Sequence, residues 1–118
     1  MTNILEKIVQ DKKESLIEIK KVSNLNTLEN KIKTQNNFLD FKQSITKNKN
    51  VSLITEIKKA SPSAGVLVKD FNHINIAKMY IDNGATCLSV LTEEEHFLGK
   101  LDYIKAVSYT HLTLPTNC

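Results

Sequence analysis

Arginine and tryptophan are absent from this 118-residue chain, and glycine (three), proline (two) and cysteine (two) are scarce. Without arginine there is no bidentate grip on phosphates or base edges. The four Phe and three Tyr residues are scattered and build no stacking platform for single strands. The remaining charge is sixteen lysines against thirteen acids, a net of +3. Ten of those lysines and six of the acids lie in residues 1–50. They alternate at amphipathic spacing, the pattern of solvated helix faces rather than of a nucleic-acid surface. No apolar run approaches the roughly 20 residues of a membrane helix. Glu6, Lys7, Asp11 and Lys12 interrupt the place where a secretory signal needs its apolar core. A cytoplasmic protein with no membrane or nucleic-acid partner is therefore expected. Cys87 and Cys118 have neither metal-ligand nor redox-motif spacing, and Cys87, inside an apolar run, reads as a small core residue.

What is present is a soluble-globular composition, 41% hydrophobic and 25% charged, in a length that allows one domain. Its most informative stretch is Val51-Ser-Leu-Ile-Thr-Glu56-Ile-Lys58-Lys-Ala-Ser61-Pro-Ser-Ala-Gly65. An apolar run of strand character ends in a carboxylate and an ammonium two residues apart, and a Ser-Pro-Ser-Ala-Gly turn follows. Strand side chains alternate, so Glu56 and Lys58 share a face, roughly 6.5 Å apart along the chain. Opposite charges on a buried strand cost desolvation free energy, a cost that sequences accept mainly where the charges serve chemistry.

The flanking pattern supplies a frame. Asn3 to about Lys21 reads as an amphipathic helix with Asn3 as cap, Glu6 completing a capping-box pattern, and Ile4, Leu5, Ile8, Val9, Leu16 and Ile19 on one stripe. A loop at Ser23–Asn26, a short helix over residues 27–36 capped by Thr27, and a second over Phe38–Thr46 follow. Val51–Ile57 is expected as a strand, hydrophobic on both faces as a buried parallel strand should be. Ser61–Phe71 is expected as a loop. Asn72 caps a helix to about Asn83 with Ile76, Ala77, Tyr80 and Ile81 inward, and Gly84 takes the left-handed position after it. Ala85–Leu91 is a second strand, and the polar loop Thr92–Lys100 leads to a further helix near Leu101. Strand, helix, strand with short links is a βαβ unit with parallel strands, whose ligands gather at the carboxyl ends.

From about Ala106 the character changes. The run Val107–Thr116 resembles the conceptual translation of a transposase adapter used in DNA library preparation. Residues 106–118 are accordingly expected to be an artefactual tail that does not continue the preceding helix. His111 and Cys118 carry no functional weight.

The opening helix (Ile4-Leu-Glu-Lys-Ile-Val-Gln-Asp-Lys-Lys), the run Glu56-Ile-Lys-Lys-Ala-Ser-Pro-Ser-Ala-Gly, and Ser89-Val-Leu-Thr-Glu93 with Phe97 and Gly99 resemble, in that order, the N-terminal part of the indole-3-glycerol-phosphate synthase family. The resemblance covers nearly all of residues 1–105. It implies an α/β fold, a truncated (β/α)8 TIM barrel. Residues 1–50 would be its N-terminal helical extension and residues 51–105 its first βα units. The implied activity closes the indole ring of 1-(2-carboxyphenylamino)-1-deoxyribulose 5-phosphate with loss of CO2 and water in tryptophan biosynthesis. A small phosphosugar is the implied partner, with no metal and no organic cofactor. Lys58 resembles the first catalytic lysine, Glu56 the carboxylate that orients it, Ser61 a substrate-binding turn residue, and Phe97 the aromatic that lines the anthranilate pocket. Ala64 stands where many relatives carry a base, and Lys100 where a Ser is common. The family's later catalytic residues and its phosphate site have no counterpart in these 118 residues, so the polypeptide by itself is expected to be inactive.

Plainer readings stand beside these. Glu56 and Lys58 also fit an ordinary ion pair closing a barrel end, and Lys59 fits a solvated lysine on the opposite face. Ser61 and Ser63 fit simple turn formers, and Phe97 fits core filling. Glu93, Glu94 and Glu95 read as a solvated loop, and His73 and His96 as exposed positions. Another phosphosugar-binding barrel, such as phosphoribosylanthranilate isomerase, is disfavoured by the long first helix and the Glu-x-Lys-x-x-Ser-Pro-Ser order. A small basic nucleic-acid module is disfavoured by the missing arginine, and a non-catalytic interaction protein would need a partner on its strand edges. No sequence signal fixes the oligomeric state.

Overall fold

A computed structural model describes residues 3–47, 50–110 and 116–117. The chain divides into two compact units, residues 1–38 and residues 39–118. The first unit holds α1 (Ile4–Val22) and α2 (Leu25–Lys33). Asn3 caps α1 as expected, its side chain accepting from the Leu5 N–H at 3.1 Å. Helix α2 begins two residues before the expected cap. Asn24, not Thr27, is the N-cap, and the Thr27 N–H donates to its side-chain oxygen at 2.9 Å. Both residue types can cap. Asn24 wins because the Thr27 amide sits at the third helical position, where a capping oxygen is wanted.

The second unit is an α/β arrangement. After α3 (Phe41–Thr46), capped by Asp40 through a 2.8 Å bond from the Gln43 N–H, come β1 (Ile54–Ile57), β2 (Ala60–Ser61), β3 (Gly65–Val66), α4 (His73–Asp82), β4 (Cys87–Val90), α5 (Asp102–Thr110) and β5 (Thr116–Asn117). Strands β1, β4 and β5 form one sheet in that order, and both pairings are parallel. The βαβ expectation holds for β1–α4–β4. Its register is Ile54 opposite Cys87, Glu56 opposite Ser89 and Ile57 opposite Val90. Thr86 helps fix it, because its hydroxyl accepts from the Leu53 N–H while its own N–H donates to the Leu53 carbonyl.

Side-chain alternation in that register separates two faces. Ile57, Leu88 and Val90 lie on one of them, fully buried against Ala77 of α4 and Val107 of α5, with Phe71, Ile76, Tyr80, Ile81, Tyr103 and Ile104 around them. Glu56 and Ser89 lie on the other. The inward face expected for α4 is the one observed. Its cap is Asn72, and Gly84 takes a φ of +92° just beyond its end. Cys87 is a buried free thiol, and burial raises its pKa, as befits a core residue.

Four expectations are corrected. β1 is shorter than residues 51–57 and is not buried on both faces: Val51, Leu53 and Ile54 are exposed, and only Ile57 is enclosed. Apolar character on both faces signals cover by further strands, and among the described residues β1 is an edge strand paired on one side. The stretch expected as loop contains the antiparallel β2–β3 hairpin, in which Ala60 pairs with Val66 and Ser61 with Gly65. Helix α5 does not stop at Lys105 but continues to Thr110. Tyr103, Ile104 and Val107 recur at helical spacing on the buried side, and burying Val107 outweighs the weak helix propensity of β-branched residues. His73 is not an exposed helix residue. It is half-buried and stacked on Tyr103, ring centroids 4.3 Å apart, and desolvation holds its pKa below the ordinary histidine value. Among the described residues no helix is long and apolar enough to cross a membrane. His111 and Cys118 lie outside the described residues.

Candidate active site

The site grows from the carboxyl ends of β1 and β4. These neighbours run parallel, so the segments after Ile57 and after Val90 leave the sheet side by side, tied by a 3.1 Å bond from the Leu91 N–H to the Ile57 carbonyl. Glu56 is the third residue of β1, on the face turned away from α4 and α5. The Tyr80 hydroxyl of α4 donates to the Glu56 carbonyl at 2.8 Å, pinning the strand end from the helix side. Lys58 follows one residue after the strand. Its Nζ meets Glu56 Oε1 at 2.7 Å, so the two side chains are joined as their spacing predicts.

Their environment differs from expectation. The Lys58 side chain is 34% exposed and that of Glu56 44%. Charges this open to water incur little desolvation, and such a pair contributes at most about 1 kcal/mol to stability. What the pair fixes is direction: the carboxylate holds the ammonium on the face opposite α4 and α5, just past the end of β1.

Ser61 sits in β2. Its hydroxyl accepts from the Ala64 N–H at 3.2 Å and lies 3.4 Å from the Ser63 hydroxyl, so it shapes the hairpin turn. Phe97 is half-buried in the loop after β4. The two loops that carry Ser61 and Phe97 thus start from adjacent strand ends, with Lys58 and Glu56 at the first of them.

The reading of Glu93 as merely solvated is wrong, although it does lie in a loop. Its carboxylate accepts three backbone N–H groups: that of Glu95 at 3.0 Å, of His96 at 2.7 Å and of Phe97 at 3.0 Å. Its carbonyl accepts a fourth, from Gly99, at 2.8 Å. Partial burial pushes the carboxyl pKa up, but the three backbone donors and nearby His96 outweigh it, and the group is held below the ordinary carboxylate value. The only sequence signal was position: an acid at the start of a short strand-to-helix loop is placed to fold back on the following amides. A depressed folded pKa has a definite consequence. The loop's contribution to stability is fully present above about 4.3, the ordinary glutamate value, and is lost as pH falls through the lower folded value. Titrating the backbone amides of Glu95, His96 and Phe97 by NMR should therefore give a shared midpoint below about 4.3. A midpoint at or above that value would contradict the geometry.

The comparison with known proteins decides the family. The family profile for indole-3-glycerol phosphate synthase matches residues 5–118. The chain belongs to the indole-3-glycerol phosphate synthase family. Among curated members, the chain is 46% identical over 105 residues to the indole-3-glycerol phosphate synthase of Clostridium acetobutylicum, covering 88% of this chain and 40% of that protein. The synthase of Desulforamulus reducens is 43% identical over 104 residues (88% of this chain, 39% of that protein). That of Legionella pneumophila strain Lens is 44% identical over 115 residues (98% and 43%). The chain thus spans about two fifths of the length of the synthases it matches.

Proposed function

We propose that this chain supplies the N-terminal helical region (residues 1–50) and the first βα units (residues 51–105) of a (β/α)8 barrel that acts as an indole-3-glycerol-phosphate synthase. The observation that carries the proposal is the Glu56–Lys58 pair, at the carboxyl end of a parallel strand, where ligands of such sheets bind, and on the face opposite the one packed against α4 and α5. The substrate would be 1-(2-carboxyphenylamino)-1-deoxyribulose 5-phosphate. A carbon–carbon bond forms between the ring carbon that bears the carboxylate and the ketose carbonyl carbon. The carboxylate leaves as CO2, the former carbonyl oxygen leaves as water, and the methylene carbon next to the nitrogen gives up a proton to form the indole double bond.

That oxygen must take up protons on its way to water, and an ammonium aimed at it serves twice. It stabilises the developing negative charge, and it can then donate a proton. Lys58 takes this role, first as a positioned charge and second as a proton donor, with Glu56 fixing its direction. Phe97 would lie against the anthranilate ring, and Ser61 would contact substrate from the hairpin turn.

A barrel of this class is built from eight strands in about 250 residues, so the test compares two polypeptides. The purified 118-residue chain should form no detectable indoleglycerol phosphate. Residues 1–105 joined to the part of the Clostridium acetobutylicum synthase that follows its matched segment should form it at a readily measured rate. A correctly folded but inactive joined protein would overturn the assignment, and product from the 118-residue chain alone would overturn the division of labour.

A further inference from the structure

The loop between β4 and α5 is organised around a single side chain. Glu93 lies three residues past Val90, and its two carboxylate oxygens take the N–H groups of the second, third and fourth residues after it. The third of these belongs to Phe97. Beyond Phe97 the backbone turns through Leu98 at a φ of +54°, in the left-handed region. It re-enters the buried interior at Gly99, whose N–H returns to the Glu93 carbonyl. Phe97 is thus gripped by the Glu93 carboxylate through its own amide and by the Leu98–Gly99 turn on the other side.

We propose that Glu93 is a positioning residue for the ring-binding side of the site: its carboxylate holds the backbone of Glu95–Phe97, and so sets where the Phe97 ring stands at the rim. The proposal rests on the synthase reading for its functional consequence, but not for its mechanical one. Glutamine in its place keeps the shape and removes an acceptor, since its NH2 group would face a backbone N–H. Aspartate, one methylene shorter, keeps an acceptor within reach of the second and third amides, the arrangement of ordinary Asx turns. Glu93→Gln should therefore loosen the loop, and Glu93→Asp should restore most of its order.

Two measurements test this. Amide hydrogen exchange on the intact chain should show Glu95, His96 and Phe97 exchanging at least about tenfold faster in E93Q, with Leu88 and Val90 unchanged and E93D in between. Protection at residues 95–97 in E93Q equal to that of the unaltered chain overturns the proposal. Should E93Q fail to fold, E93D carries the comparison: the Phe97 amide, beyond the reach of an aspartate, should exchange faster than in the unaltered chain while those of Glu95 and His96 stay protected, and unchanged protection at Phe97 overturns the proposal. In the joined barrel, E93Q should raise KM about tenfold while kcat changes far less, the mark of lost binding rather than lost chemistry. E93D should return KM to within about threefold of the parent. Unaltered KM in E93Q alongside an inactive Lys58→Ala variant refutes the positioning role and leaves the synthase reading standing. If Lys58→Ala is as active as the parent, the synthase reading itself fails.

Discussion

Lys58→Ala in the joined barrel is expected to lower kcat by about 10³-fold, with KM altered much less. The expectation follows from geometry. Lys58 Nζ is held at 2.7 Å by Glu56 Oε1, over the face that α4 and α5 leave uncovered. A charge that meets the reacting oxygen as it becomes negative acts in the transition state more than in the ground state, so its loss appears in kcat. Glu56→Gln should cost less, about tenfold to a hundredfold, because the ammonium remains and only its direction is released. Lys58→Arg should not rescue activity. A planar guanidinium is bulkier, binds in a fork and does not give up its proton near neutrality. In the 118-residue chain, where the pair is open to water, neither change should unfold the protein, and thermal melts there should agree to within about 1 kcal/mol. Steady-state kinetics with a melt for each variant separates a catalytic loss from a structural one.

Gly99→Ala is expected to destabilise the second unit by about 3 kcal/mol, the upper part of the range for overpacking. A Cβ built on Gly99 would collide with the Leu91 carbonyl oxygen and stand 2.9 Å from the Leu91 carbonyl carbon and the Thr92 Cα. All three neighbours are backbone atoms at the end of β4, so no side chain can swing aside. Relief requires moving the strand end or the loop, and the loop is held by four hydrogen bonds to Glu93. The same substitution at Gly84 meets nothing within 4 Å, and there only the φ of +92° resists it. Chemical denaturation of the two variants in the joined barrel should rank Gly99→Ala well below Gly84→Ala. Equal midpoints would contradict the close approach.

In α1 and α4 the period and the cap foretold the structure, whereas the cap of α2 is Asn24 and not the expected Thr27. Asn72, the Ile76–Ala77–Tyr80–Ile81 face and Gly84 were enough to define α4, because each acts within one helical turn. The Glu56–Lys58 contact was likewise legible, since two residues on a strand admit only one relative direction. The β2–β3 hairpin was not, because two-residue strands are too short to show any alternation. Nor was the exposure of β1. Its composition answers to neighbours on both sides, whereas among the described residues only β4 pairs with it. Helix α5 ran past Lys105 because Val107 completes a buried stripe that begins at Tyr103, and local composition at Ala106 cannot register a tertiary contact. Glu93 escaped for the opposite reason. Three acids in a row look solvated, and only the fold-back of the chain reveals that the first of them accepts its neighbours' amides.

The central claim is tested most directly by measuring kcat of Lys58→Ala and Lys59→Ala side by side in the joined barrel. Lys59 is the adjacent lysine, and its carbonyl takes the Leu67 N–H of the neighbouring hairpin. A loss of about 10³-fold at Lys58 with Lys59→Ala within about twofold of the parent is the predicted result. Equal losses at both positions, or the deeper loss at Lys59, would contradict it.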